Sequence, residues 1–457
     1  MSRIAIVNFN SGEISPELDA RPDIEKYVGG CRKMENMIPD VFGNATKRPG
    51  TEFITIGGAG CYFEPPVIDA TKIGISTEAE LALIGNDVGY PMTGDYELRA
   101  DLDFTGIVFW PIGRPVANRG AETVFEGTFD GRYHTISNIS YDTTNHFING
   151  SATFPPAEWN KFGLFGELSA AATVSNLTIT NMTIECAWAP LPASANLGTS
   201  GFLFGTCTAG ATITNCHTQG TISITASGAG ITSGISTFGG MNGSGGAVFV
   251  RCSTDLVFNA GTAALPHGGS LSRVGGYCGS GSGASFTDCY AIGSITHTST
   301  GEMKDIGGFE GRDGSTTVIT NSYAAITLDG KVDDTYATVG GLIGYVDTAA
   351  GTYSDCFWDG DLTGTLDCDD PLGFTLYDIG HVGASTDEYG TGKDYVAGDD
   401  VANITKGTNS DGGANDMYLQ ATYTNWDFDT IWKINEGTNY PTFKWLDTSQ
   451  NCIWTRD

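Results

Sequence analysis

Six times between Gly163 and Trp358, an apolar and glycine phrase is followed by a β-rich phrase that ends in a polar residue and a small one. The first phrase reads Gly163-Leu-Phe-Gly166, Gly201-Phe-Leu-Phe-Gly205, Phe238-Gly-Gly240, Val274-Gly-Gly276, Ile306-Gly-Gly-Phe309 and Val339-Gly-Gly-Leu-Ile-Gly344. The second phrase ends at Leu177, Cys216, Cys252, Cys289, Ser322 and Cys356, at spacings of 39, 36, 37, 33 and 34 residues. A period in this range describes a supersecondary unit that cannot bury its apolar face alone and must stack on a neighbour. Val, Ile, Thr and Phe alternate with Ser, Thr and Asn at period two, which is strand chemistry. Glycine beside an apolar residue suits a tight corner between sheet faces. The spacing therefore predicts an all-β chain built on a parallel β-helix, one coil per unit, with the Leu/Cys/Ser slot stacked inside as a core ladder.

Composition fits turn-dense β structure: of 457 residues 64 are Gly, 17% are charged and 40% are hydrophobic, enough apolar content for a core. Residues 1 to 52 carry 7 Lys/Arg against 8 Asp/Glu, leaving 16 against 45 for the rest. Two chemical territories meet near residue 55. The acidic body repels phosphate backbones, so no nucleic-acid partner is expected, and its charge opposes self-association. With no run of 18 apolar residues, no membrane span is expected. The start, Met1-Ser-Arg-Ile-Ala-Ile-Val-Asn-Phe, lacks the apolar length and cleavage site of a signal peptide.

Eleven cysteines are present, four of them in the ladder slot. Stacked strands bring such residues within disulfide range, but a small buried thiol is the reading for a chain made in a reducing cytoplasm. Without a C-x-x-C pair or metal-spaced His residues, no zinc site and no cofactor are expected.

The N-terminal segment reads Asn8-Phe9, Gly12-Glu13, Ser15-Pro16, Arg21, Asp23, Tyr27, Asn36 and Arg48-Pro49-Gly50 within residues 8 to 53. It resembles the opening of tail-tube and nozzle-like virion proteins of short-tailed bacteriophages, with their pattern F-x-x-G-E-[IL]-S-P, R-x-D, K-Y and R-P-G-T. The resemblance implies a virion context and makes these residues a docking set. After Gly57 the chain leaves the family's pattern. Ser15-Pro16 and Arg48-Pro49-Gly50 fix extended or turned backbone, and Asp23 to Asn36 has the spacing of a short amphipathic helix. So small a piece favours assembly against a neighbouring subunit, the alternative being a cap on the solenoid.

Pro65-Pro66 breaks the chain, and Thr77-Glu-Ala-Glu-Leu-Ala-Leu-Ile84 reads as a short helix with Thr77 as N-cap and Glu80 closing a capping box. Phe125-Glu-Gly-Thr-Phe-Asp-Gly131 and His134-Thr-Ile-Ser-Asn-Ile139 lead into the array. From about residue 67 to 360 the chain resembles the GLUG-repeat domains of phage and bacterial surface proteins, which implies a right-handed parallel β-helix and no common activity. The domain boundaries expected are 1–56 for docking, 57–150 for linker, helix and lead-in, 151–360 for the repeats, and 361–457 for a loop-rich insertion and an aromatic cap. That cap holds Tyr423 to Phe428, Ile431 to Ile434 and Asn439 to Trp445, suited to covering the last open coil.

Hydrolysis of a glycan would need paired carboxylates about 5 to 9.5 Å apart around a cleft. Asp359 with Asp361, or Asp369 with Asp370, sit in Gly-rich sequence where solvated Asp is the ordinary reading, so no catalytic residue is assigned. Asp355, Asp359, Asp361, Asp367, Asp369 and Asp370 lack the spacing of a calcium loop, and no metal is assigned. The expectation is a non-enzymatic structural virion protein, anchored at the tail or head-tail region and displaying an acidic spike, fibre or decoration. Its expected partners are other virion proteins, further copies of itself and a host glycan or receptor. The alternatives are a tail-tube or nozzle part with an architectural β-helix, and a tailspike depolymerase.

Overall fold

The computed structural model describes residues 4–8, 13–14, 53–56, 61–63, 71–113, 124–142, 161–186, 199–224, 237–260, 271–297, 303–331, 339–346, 351–367, 377–382, 403–409 and 412–446. The chain divides into two compact units. One combines residues 1–71 with 427–433 and 442–457; the other holds 72–426 and 434–441. In the first unit, Ile4–Asn8 runs antiparallel to Glu13–Ile14 and parallel to Phe53–Ile56, which pairs antiparallel with Cys61–Phe63. Trp432–Lys433 and Thr442–Phe443 form an antiparallel pair in the same unit, with the Trp432 and Phe443 rings 4.7 Å apart.

The second unit is a parallel β-solenoid, nearly all β, built on an 18-stranded and a 12-stranded sheet. Its wall is read by following one position from coil to coil. In the larger sheet Phe129, Val174, Ile213, Phe249, Phe286, Ile319 and Tyr353 pair in that order. All are buried, and Phe249 stacks on Phe286 at 5.1 Å. In the smaller sheet the corresponding ladder is Phe165, Phe204, Asn242, Cys278, Glu310, Ile343 and Ile379. Stacked aromatic and branched residues remove apolar surface from water at about 25 cal/mol per Å², so each coil covers its neighbour's open edge.

Between the two flats of the larger sheet the chain turns on one residue with left-handed backbone. These corners are Asn176 (φ 53°), Asn215 (52°), Arg251 (55°), Asp288 (53°), Asn321 (47°) and Asp355 (52°), each directly before the slot residue. Asn and Asp tolerate this region because a short polar side chain bonds locally. Here that bond runs to the preceding coil. Asn176 Nδ2 donates to Asp130 Oδ1 at 3.0 Å, Asn215 Nδ2 to Asn176 Oδ1 at 3.0 Å, and Asn321 Nδ2 to Asp288 Oδ1 at 3.3 Å.

The paired glycines have a different cause. A Cβ on Gly276 would strike the Gly308 carbonyl oxygen, and one on Gly308 the Gly341 carbonyl oxygen, so successive coils approach through bare backbone. The short helix is Glu78–Leu81, with both halves of the Thr77/Glu80 capping box formed; the expected run to Ile84 continues as turns, with Ile84 buried. Sheet pairing begins already at Ile73–Ile75, against Asp95–Leu98. Within the stretch expected to be a loop-rich insertion, Tyr377–Val382 extends the smaller sheet along Val339–Val346, and Ile404–Gly407 pairs with Cys356–Asp359 in the larger one. Strands this short carry too few alternations for a period to be legible.

Candidate functional site

Of the docking set, Asn8 and Glu13 fall in described strands, where they are antiparallel partners. Phe9, Gly12, Ser15, Pro16, Arg21, Asp23, Tyr27, Asn36, Arg48, Pro49 and Gly50 lie outside the described residues, as does the helix expected from Asp23.

The slot residues Leu177, Cys216, Cys252, Cys289, Ser322 and Cys356 are all buried, and Cys216, Cys252, Cys289 and Cys356 are free thiols. Each polar member does the same work. The thiols of Cys216, Cys252, Cys289 and Cys356 donate to the carbonyl two residues back, at Thr214, Val250, Thr287 and Ser354, over 3.3–3.4 Å. Ser322 Oγ does so to Thr320 at 2.8 Å. The backbone N–H of Cys216 donates to Cys252 Sγ at 3.4 Å and that of Cys289 to Ser322 Oγ at 3.0 Å. The slot thus takes a small side chain carrying one hydrogen and a lone pair, which explains why Cys and Ser interchange. Burial pushes the Cys356 thiol up to about 12 and Cys252 and Cys289 well above the ordinary thiol range. These are thiols without nucleophilic character.

The residue after each slot points outward. Thr178, His217, Ser253, Tyr290, Tyr323 and Phe357 pair in one row. His217 Nδ1 is 2.8 Å from Ser253 Oγ, and burial lowers the His217 pKa to about 4, leaving a neutral imidazole. Ser253 is fully buried, so this Ser–His contact offers no accessible nucleophile.

Further along the row the C-terminal aromatics pack. Tyr423 and Trp426 lie 4.8 and 5.8 Å from Phe357, and Tyr440 lies 5.8 Å from Tyr323. Trp426 Nε1 donates to the Asp355 carbonyl at 3.2 Å and Tyr323 OH to the Pro441 carbonyl at 2.7 Å. These aromatics therefore cover the outward side of the sheet, where sequence reasoning puts them over the last open coil. The reason is that Tyr290, Tyr323 and Phe357 turn large rings outward that themselves need a cover. Trp432 and Phe443, also in the expected cap, belong to the other unit.

The acidic candidates are engaged in local bonds. Asp359 accepts from Tyr440 OH at 2.5 Å and from the Asp361 N–H at 2.7 Å; Asp361 accepts from the Asn409 N–H at 3.0 Å. Asp355 accepts from Asn425 at 2.6 Å. Asp367 lies in a strand, and Asp369 and Asp370 lie outside the described residues. Among the described residues no group of three or more His, Cys, Asp or Glu could hold a metal ion, and no helix is long and apolar enough to cross a membrane.

No family model matches the chain. A stretch of 146 residues, 30% of the chain, is 31% identical to halomucin of Haloquadratum walsbyi and spans about 1% of that protein's length. A solved structure from Bacteroides ovatus, provisionally named an immunoglobulin A1 protease, is 20% identical; the match covers 83% of this chain and 94% of that one at a TM-score of 0.48.

Sequence reasoning misses one group altogether. Glu310, Arg312 and Asp313 are buried in the strand Glu310–Ser315, within Glu310-Gly-Arg-Asp-Gly-Ser315, a string that reads as a polar loop. Arg312 reaches Asp305 at 3.6 Å and lies over the Tyr345 ring at 4.8 Å. The usable signal is position: Glu310 stands four residues after Ile306, as Cys278 stands four after Val274 and Ile343 four after Val339.

Proposed function

We propose that this chain is a structural protein of a tailed-bacteriophage particle. Its N-terminal segment docks at the tail or head-tail region, and its acidic solenoid is displayed as a spike, fibre or decoration for host-surface contact. The observation that carries this reading is the combination, within the first 52 residues, of the docking pattern from Phe9 to Thr51 and near-neutral charge, joined to a body with 16 Lys/Arg against 45 Asp/Glu. A surface so acidic stays solvated and resists unspecific association. The interior ladders make a stiff support in which each inner coil is braced by two others. A stretch shared with a protein named a mucin fits a surface role. Copies follow the symmetry of the particle, so the assembled form is a homo-oligomer.

The test is incorporation. A full-length variant with Arg21, Asp23, Arg48 and Pro49 changed to alanine is expected to fold, with unchanged β circular dichroism, and to be missing from purified particles. Its presence at wild-type copy number would overturn the docking assignment. Protease and antibody access to the solenoid on intact particles distinguishes display from a buried architectural role in the tail tube or nozzle. Release of reducing ends from host polysaccharide would instead make the chain a depolymerase.

A further inference from the structure

Glu310 and Asp313 sit inside the solenoid with no solvent exposure. Glu310 Oε1 accepts the Gly281 N–H at 2.7 Å, and its Oε2 has no hydrogen-bond partner. Asp313 Oδ2 accepts from Tyr353 OH at 3.2 Å. Its other oxygen, Oδ1, lies 2.8 Å from Thr317 Oγ1, and that hydroxyl lies 2.5 Å from the Gly281 carbonyl oxygen. Thr317 has a single hydroxyl proton, and the chain Gly281 O, Thr317 Oγ1, Asp313 Oδ1 has two links. A second proton, on the Asp313 carboxyl, completes it.

The surroundings agree. The neighbouring rung of the ladder offers Cys278, with Cys207 beyond it, and the following coil offers Tyr353, with Cys356 close by. Burial raises all four groups, so they remain neutral through the physiological range. The cation on the same strand, Arg312, pairs with Asp305 and Tyr345. A second ionised carboxylate in so dry a site would forfeit several kcal/mol of hydration. Burial pushes Glu310 well above the carboxylate range, and ionisation of Asp313 would push it further.

We propose that this cluster is a proton-dependent latch: the pairing of the two neighbouring coils through Cys278–Ser282 and Glu310–Ser315 stays closed while the carboxyl pair retains a proton, and it opens locally as that proton passes to solvent. The sign follows from linkage. An exposed carboxyl ionises near pH 4.3, whereas the closed coil keeps its proton to higher pH, so opening releases a proton throughout that window. The latch is tightest below about pH 4.3 and weakens as pH rises, by about tenfold in the opening constant per pH unit for each proton released.

Hydrogen exchange of the full-length protein between pH 5 and 8, corrected for intrinsic exchange rates, reads this directly. Amides of Cys278–Ser282 and Glu310–Ser315 should open about tenfold more per pH unit, while those of Thr173–Cys186 should show no such slope. The double variant Glu310→Gln, Asp313→Asn carries amides of the same shape as the neutral carboxyls, and it should flatten the slope. Equal slopes in the two regions, or an unchanged slope in a folded double variant, would overturn the proposal. If the double variant does not fold, the comparison of the two regions in the wild-type protein still decides it.

Discussion

A single backbone angle at each corner sets the course of the chain. Asn321 stands at φ 47° and Asn215 at φ 52°, a region that costs a residue with a branched Cβ roughly 1–2 kcal/mol. Asn321→Val is therefore expected to lower unfolding free energy by about 2 kcal/mol, from strain plus the lost bond to Asp288, whereas Asn321→Gly should stay within about 1 kcal/mol of the wild type. Urea titration of both variants checks the difference. The slot beside each corner makes a chemical prediction. At pH 8 a thiol reagent should leave Cys216, Cys252, Cys289 and Cys356 unmodified in the folded protein and label them promptly in denaturant, because these thiols are buried and the thiolate is the reactive form. Labelling of the folded chain at the rate of an exposed thiol would contradict the ladder. At this scale the sequence is partly legible. The spacing of Cys216, Cys252 and Cys289 marks a stacked interior position. The left-handed angle at Asn215 is hidden, because Arg251 and Asp288 fill the same corner and share no single residue type with it.

Among the elements, the C-terminal segment is the one whose contribution is most open to measurement. Trp426 bridges Tyr323, Phe357 and the Asp355 carbonyl. Removing a buried indole of this kind costs about 3–5 kcal/mol, so Trp426→Ala should lower unfolding free energy by about 3 kcal/mol and raise the fluorescence of a hydrophobic dye that binds the bared rings. A loss below about 1 kcal/mol would mean that the segment only rests on the sheet. Strands whose register repeats are evident from the chain itself, because each unit states the same alternation. What covers them is not. Tyr290 and Tyr323 sit in outward positions where alternation predicts a solvated residue, and the contact that buries Tyr323 comes from Pro441, 118 residues on. Glu310 is the converse case, a charged residue whose inward position follows from register and whose surrounding glycines suggest a loop.

Across the whole molecule the charge is one-sided, at −30 formal units over 457 residues. Self-repulsion of that size opposes compactness and is screened over about 10 Å at 0.1 M salt. The midpoint of thermal unfolding should rise between about 0.01 and 0.5 M sodium chloride, the opposite of a fold held by surface ion pairs, and calorimetry at the two ends settles the sign. The slot spacings of 39, 36, 37, 33 and 34 residues acquire a meaning at this scale. Register is kept residue for residue from Ser253–Ala260 to Tyr290–His297, whereas bulges shift it between Ile179 and Met182 and between Ser280 and Ser282, so differences in coil length are absorbed between strands and at these bulges. A coil is in that sense a unit of inheritance: a recombination between two slot codons, such as those of Cys252 and Cys289, would shorten or lengthen the rod by one step of about 4.8 Å and leave both of its ends as they were.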